Sequence, residues 1–232
     1  MNSLEVVRTE HKIMINQKER VILEGRLDLI MPKDKHSTSS TGYEIRTLYF
    51  DSVDDRCVYE KLDGLRNHEK IRMRIYGHSN QVIKLESKRK VGEFQVKKTM
   101  LIDKETAIEL SKGNYGILLK NENPMALMFY QKLSKGMRPK TIIQYQRLSY
   151  CLDTNNIRIT FDSNIRATEC CFNLFQEPLL AHPIIPQNYL ILEVKYNGFL
   201  FDYIKEALKV VNKSSSSYSK YLAGRDFYRG FI

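Results

Sequence analysis

The sequence predicts an α+β fold: eight strands, mostly antiparallel, forming a large sheet that closes into a barrel, with helices in the gaps and against its outside. Three observations predict it. Stretches with apolar and polar residues alternating at a period of two recur along the chain, the mark of half-buried strands. Between them lie segments with helix caps and helical spacing. The polar side of nearly every alternating run is dominated by Lys and Arg.

The elements follow in order. EVVRTEHKIMI (5–15) sets Val7, Ile13 and Ile15 on one face and Arg8, Glu10 and Lys12 on the other. Asn16, with Glu19 three residues on, forms a capping-box pattern that starts a helix. PKDKHSTSSTG (32–42) reads as a surface loop. EIRTLYFD (44–51) is the second strand. KIRMRIYG (70–77) places Lys70, Arg72 and Arg74 opposite Ile71, Met73 and Ile75. GHSNQ (77–81) turns the chain into QVIKLESKRK (81–90), a hairpin partner with Lys84, Glu86, Lys88 and Lys90 set against Ile83 and Leu85. FQVKKTMLI (94–102) carries Lys97 opposite Val96 and Met100. A helix follows Asp103 and stops at Gly113. NPMALMFYQKLSKG (123–136) has Asn as cap, Pro in the first turn and Gly at the end of a second helix. TIIQYQRLSYCL (141–152) offers Arg147, and NIRITFDSNI (156–165) offers Arg158, Thr160 and Asp162, with Arg166 just beyond. LILEVKYNG (190–198) carries Glu193 and Lys195. FDYIKEALKVV (201–211) is amphipathic, NKSSSS (212–217) is a loop, and YSKYLAGRDFYRG closes the chain as a short helical segment.

Length and composition narrow the field. The chain has 232 residues, 42% hydrophobic and 10% aromatic, enough to bury a core as one domain spanning 1–232. No apolar run reaches the roughly 18 residues of a membrane span, and the start lacks the apolar stretch of a signal peptide. The four cysteines contain no CxxC and read as reduced thiols of a cytoplasmic protein. The histidines show no metal-ligand spacing. Neither GxxxxGK[ST] nor GxGxxG occurs, which excludes the common nucleotide-binding folds. A formal charge of +10 points to an anionic partner.

Placement of the charge says more than its sum. Like charges directly opposite across a sheet are destabilising, so a face this rich in cations wants an anion with many oxygens among its side chains. The apolar residues between the cations are mostly Ile, Met, Leu and Val rather than base-stacking aromatics, which argues against nucleic acid. Amphipathic helices that need an apolar surface to cover favour a barrel with the cations inside over an open platform.

The ordered set RTEHK, LYFD, KIRMRIYG, KLESK, VKKTMLID, YQRLSY, IRITFDSNI, LEVKY and YSKYLAGRDF resembles the VTC domain (vacuolar transporter chaperone type) from about residue 5 to 228. This is the polyphosphate polymerase branch of the triphosphate tunnel metalloenzymes, relatives of the CYTH domains. The resemblance implies a closed antiparallel tunnel lined by Lys and Arg, in which the γ-phosphoryl of ATP passes to a growing inorganic polyphosphate chain with Mn²⁺ or Mg²⁺. Carried over by position, Arg72, Arg74, Lys88 and Glu193 would be catalytic. Lys12, Arg72, Arg74, Lys88, Lys97, Arg147, Arg166, Lys195, Ser219 and Lys220 would hold nucleotide and chain phosphates. Glu193 would be the metal carboxylate, with Glu10 and Glu86 as assisting ligands. One departure is Ser217, where some members have a further lysine. No membrane-spanning region is expected in these residues, so the resemblance does not imply coupling to transport, and a membrane partner protein is left open.

The residue types suit this chemistry. Arginine stays charged in a crowd and donates in a planar fork to phosphate oxygens. A divalent ion bridging phosphates needs hard oxygen ligands, often one or two carboxylates. Phosphoryl transfer rests on positioning and charge neutralisation, and an anionic phosphate acceptor needs no general base. The sequence leaves polymerase, triphosphatase and non-catalytic polyphosphate binder open.

Overall fold

The computed structural model describes residues 8–37, 39–77, 79, 81–92, 94–211 and 218–230. Its strands are β1 (Arg8–Asn16), β2 (Tyr43–Ser52), β3 (His68–Tyr76), β4 (Ile83–Val91), β5 (Phe94–Ile102), β6 (Met137–Leu152), β7 (Ile157–Thr168), β8 (His182–Pro183) and β9 (Tyr189–Asn197). The helices are α1 (Gln17–Leu27), α2 (Arg56–Leu62), α3 (Lys104–Ser111), α4 (Pro124–Leu133), α5 (Asp202–Leu208) and α6 (Lys220–Arg229), with short 3₁₀ turns at Tyr115–Lys120 and Thr154–Asn156. Hydrogen bonding orders the strands β1-β9-β7-β6-β2-β3-β4-β5, with β8 paired to β7. None of the helices formed by the described residues is long and apolar enough to cross a membrane.

Two compact units emerge, each assembled from separated segments. The first comprises Met1–Glu44, Tyr145–Ile165 and Ile185–Ser219; the second comprises Ile45–Gln144, Arg166–Ile184 and Lys220–Ile232.

In the first unit, β1, β9 and β7 run antiparallel, with Lys12 opposite Glu193 and Glu193 opposite Thr160. Their apolar sides, including Ile15, Leu192, Val194, Ile159 and Phe161, pack with Leu23 and Leu27 of α1 and Ile204 of α5. The start of α1 is fixed by the expected capping box: the Glu19 amide donates to Asn16 Oδ1 at 2.9 Å and the Asn16 amide to Glu19 Oε2 at 2.7 Å. Tyr150 reaches out of this core to donate to Asp28 Oδ1 at 2.6 Å.

The second unit shows the same division of labour between faces. Ile71, Met73 and Ile75 of β3 join Ile83 and Leu85 of β4 in a core closed by Leu110 of α3 and Phe129 and Leu133 of α4. Asp103 caps α3 by accepting from the Thr106 amide at 2.7 Å, and Asn123 caps α4 by accepting from the Met125 amide at 2.9 Å. Helix α6 is tied down by charge. Arg225 bonds Asp55 at 2.6 Å and Glu169 at 2.5 Å, while Tyr221 donates to the buried Asp51 at 2.5 Å.

Several expectations change. An α+β fold on an antiparallel sheet with flanking helices is observed, but the strand path has two ends among the described residues. β1 pairs only with β9 and β5 only with β4, so a closed eight-stranded barrel is not what the hydrogen bonding draws. As an end strand, β5 leaves Phe94 and Val96 exposed where alternation anticipated a buried face, although Met100 is buried as expected. β6 begins at Met137 rather than 141, running through a polar stretch around Pro139 that breaks the alternation. Helix α2 escapes sequence reading because Asp55, at its start, sits in the left-handed region (φ 57°) and makes no side-chain cap. Residues 5–7 of the first expected strand, His78 of the hairpin turn, the 212–217 loop and Ser217 lie outside the described residues.

Candidate functional site

The cation-rich faces resolve into two clusters, one per unit, each organised around a buried carboxylate.

In the second unit, β-register does the assembly. Tyr49, Arg72, Glu86 and Thr99 face one another across β2, β3, β4 and β5, and Lys70, Lys88 and Lys97 form the adjoining row. Glu86 is 1% exposed. Arg72 Nε donates to its Oε2 at 2.7 Å, and Lys97 pairs with its Oε1. Arg74, also buried, donates from Nε to Thr47 Oγ1 at 3.2 Å. Burial pushes the Glu86 carboxyl up, but Arg72, Arg74 and Lys97 together outweigh it and hold the group at about 2. The same field reaches Tyr49. Its burial disfavours the phenolate, yet Arg72, Arg74 and Lys70 pull the phenol below its ordinary range.

In the first unit, Glu193 (5% exposed) takes the central place. Lys195 lies 2.8 Å and Lys12 3.7 Å from its Oε1, and Arg147 lies 3.6 Å from its Oε2. Lys12 is shared with Glu10 at 2.9 Å. Arg147 is held by a two-pronged bond to the buried Asp162, Nε to Oδ1 at 2.6 Å and Nη2 to Oδ2 at 2.7 Å, and its guanidinium lies 5.3 Å from the Tyr145 ring centre. Burial works against the Arg147 charge, but Asp162, Tyr145 and Glu193 raise its pKa well above the ordinary value. Lys195 goes the other way: desolvation exceeds the help of Glu193 and Glu10 and brings its ammonium down to about 8.

These contacts correct one sequence argument. The faces do mix signs: Glu86, Glu193, Glu10 and Asp162 sit among the cations, so the clusters hold together through their own carboxylates. What the arrangement supplies is a set of donors, buried or half-buried apart from the exposed Lys97, held by carboxylates before any anion arrives.

The remaining expected residues fall as follows. Lys88 stands half-buried between Lys70 and Lys97 in register. Arg166 lies within β7, opposite Pro183, and belongs to the second unit. Ser219 directly precedes α6 and Lys220 opens it. Arg158, on the first unit's polar face, is engaged by Asp34 at 2.9 Å, Ser149 at 3.0 Å and Tyr43 at 3.1 Å. Sequence reasoning placed Asp162 on the polar face without giving it a role, and missed Tyr145 and Thr47. The available signal was Asp162's spacing, i+2 from Thr160 and i+4 from Arg158.

A divalent ion can be tested against these side chains. Among the described residues no three His, Cys, Asp or Glu side chains gather into a self-sufficient metal site. Mg²⁺-type ions in phosphate chemistry do not need one, since one or two carboxylates plus substrate phosphates complete the shell. Glu193 and Glu10, which share Lys12, are hard oxygen donors of that kind and fit the group. Glu86 is engaged by Arg72 and Lys97, as Glu193 is by Lys195, Lys12 and Arg147, so each carboxylate also serves as the counter-charge of its cations.

Comparison with known proteins completes the picture. A crystal structure of a candidate adenylate cyclase from Bacillus halodurans is similar at a TM-score of 0.54 and 10% identity, covering 92% of this chain and 95% of that one. A conserved protein from Pyrococcus furiosus (TM-score 0.49, 13% identity, 94% and 99% covered) and another from Pyrococcus horikoshii (0.46, 13%, 96% and 99%) are also similar. At these identities the likeness to the first is one of fold. No curated protein matches the chain. The family model of the VTC domain matches residues 7–228, and the chain therefore belongs to the VTC domain family.

Proposed function

We propose that this protein is an ATP-dependent polyphosphate polymerase, transferring the γ-phosphoryl of ATP to the end of an inorganic polyphosphate chain. The observation that carries the reading is the pair of clusters in which a buried carboxylate, Glu86 or Glu193, holds several cations on one strand face. Such donors suit a linear anion with many oxygens, and membership of the VTC domain family selects phosphate chains from among such anions.

In this reading Arg72 and Arg74 grip the nucleotide's phosphates. The rigid backing of Glu86 and Thr47 keeps both guanidinium groups aimed without reorganisation during the reaction. Lys88 and Lys97 follow the same strand face and take further phosphate oxygens. Arg147, fixed by Asp162, and Lys12 and Lys195, gathered at Glu193, hold phosphate in the first unit. Arg166, Ser219 and Lys220 add contacts to the chain. Transfer forms a bond from a terminal phosphate oxygen of the acceptor to the γ-phosphorus and breaks the bond to the β-phosphate bridging oxygen, so ADP leaves. The attacking oxygen is already anionic, so no side chain needs to remove a proton. Glu193, with Glu10, would hold Mn²⁺ or Mg²⁺, which when bound would neutralise charge on phosphate held in the first unit. A cytoplasmic location supplies ATP.

The test is incubation with ATP and Mn²⁺, followed by separation of long anionic chains from free phosphate. Chains that disappear in Arg74→Ala and Glu193→Gln support the reading. Free phosphate alone identifies a triphosphatase, and no turnover identifies a binding module; either result overturns the polymerase assignment.

A further inference from the structure

Two buried side-chain oxygens of the first unit, those of Tyr218 and Thr160, lack a hydrogen-bond partner, and the second belongs to a cation-rich strand face. Thr160 is 2% exposed, and its Oγ1 has no hydrogen-bond partner. A hydroxyl in that state costs the fold stability that a methyl of the same shape would not, so an unpaired one calls for an explanation such as an ion or catalytic role. Its position supplies that explanation. Thr160 on β7 is directly opposite Glu193 on β9, and Glu193 is directly opposite Lys12 on β1. Paired residues across antiparallel strands project from the same face with Cβ atoms roughly 4.5–5.5 Å apart. Thr160 therefore shares a strand face with Glu193, the carboxylate proposed to hold a divalent ion, where no group of three His, Cys, Asp or Glu side chains gathers among the described residues.

We infer that the Thr160 hydroxyl is a further oxygen ligand, direct or through one water, for the divalent cation that Glu193 holds with the substrate's phosphates. The inference rests on the metal-assisted reading above and extends it to a residue outside the cationic set. A neutral hydroxyl adds an oxygen donor without adding negative charge. That matters beside a polyanion, where a third carboxylate would repel the phosphates it must approach.

The experiment measures Mn²⁺ affinity, by electron paramagnetic resonance with inorganic triphosphate present, for the full chain, Thr160→Val and Thr160→Ser, together with the melting temperature of each. Thr160→Val keeps the shape and removes only the oxygen. The expected result is a loss of roughly tenfold or more in Mn²⁺ affinity for Thr160→Val, with Thr160→Ser close to wild type. Thr160→Val should melt at or above the wild-type temperature, because it removes an unpaired buried hydroxyl. Wild-type Mn²⁺ affinity in Thr160→Val overturns the inference and leaves the polymerase reading intact. Weakened binding together with a lower melting temperature also overturns it, since the hydroxyl would then be structural. Failure of the wild type itself to take up Mn²⁺ with triphosphate overturns the metal-assisted reading and this inference together.

Discussion

Replacing Glu86 by Gln removes the counter-charge of the second unit's cluster while keeping its shape. The Glu86 carboxyl is held at about 2 against an ordinary 4.5, and each unit is worth about 1.36 kcal/mol. Its ionised form therefore contributes on the order of 3 kcal/mol, in line with the roughly 3–5 kcal/mol cost of leaving one partner of a buried pair without the other. For a chain of this size that is a fall of roughly 6–12 °C in melting temperature. The sign with pH follows from the depressed pKa. The contribution is fully present above 4.5 and is lost as pH falls through about 2, so the gap between wild type and Glu86→Gln narrows in acid. Scanning calorimetry at pH 7 and pH 4, with and without inorganic triphosphate, reads all of this. Triphosphate should restore much of the loss by taking over the neutralisation of Arg72, Arg74 and Lys97. A Glu86→Gln protein that melts within a degree of wild type at pH 7, or gains nothing from triphosphate, would refute the reasoning that these cations need an internal anion.

Lys195, with its ammonium at about 8, should lose its hold on phosphate as pH rises from 7 to 9, weakening triphosphate binding by about tenfold over that span as the charged fraction falls. Lys195→Arg should abolish that alkaline limb. Because both proteins meet the same ligand ionisation, matching calorimetric profiles would count against the assignment. Without ligand the sign reverses: folding favours the neutral amine, so the protein should gain stability between about 8 and 10.5, which denaturant titration can follow. Gly42→Ala attacks the support of Arg147. Gly42 has φ +78°, and an added Cβ would stand 1.9 Å from the Arg147 carbonyl oxygen, a backbone atom with nowhere to go. A cost above about 2 kcal/mol in the denaturant midpoint is expected.

Alternation made much of the fold legible. The apolar sides of KIRMRIYG and QVIKLESKRK form the second unit's core as the period of two requires, and the caps at Asn16, Asp103 and Asn123 start their helices where the side chains allow. Arg46 shows the limit of the pattern. It occupies a core-side position of β2 at 1% exposure because the Leu174 and Gln176 carbonyls and Glu177 meet its guanidinium, partners that lie more than a hundred residues away. Register is likewise invisible in a single strand. That Arg72 faces Glu86, or Glu193 faces both Lys12 and Thr160, depends on how separate strands are paired. This is why the cations could be counted from sequence while their internal carboxylates were underrated. The exposure of Phe94 follows from β5 having a neighbour on one side only, another property of pairing rather than of composition.

The central claim is that the carboxylate-backed cations of each unit bind linear phosphate. Calorimetric titration of inorganic triphosphate at fixed ionic strength, beside an oligonucleotide of equal charge, tests it most directly. The account predicts saturable triphosphate binding that beats the oligonucleotide and falls at least tenfold in both Arg74→Ala and Arg147→Ala, the loss of one charge-assisted contact each. Triphosphate binding no stronger than that of the oligonucleotide, or unchanged in both variants, would contradict it.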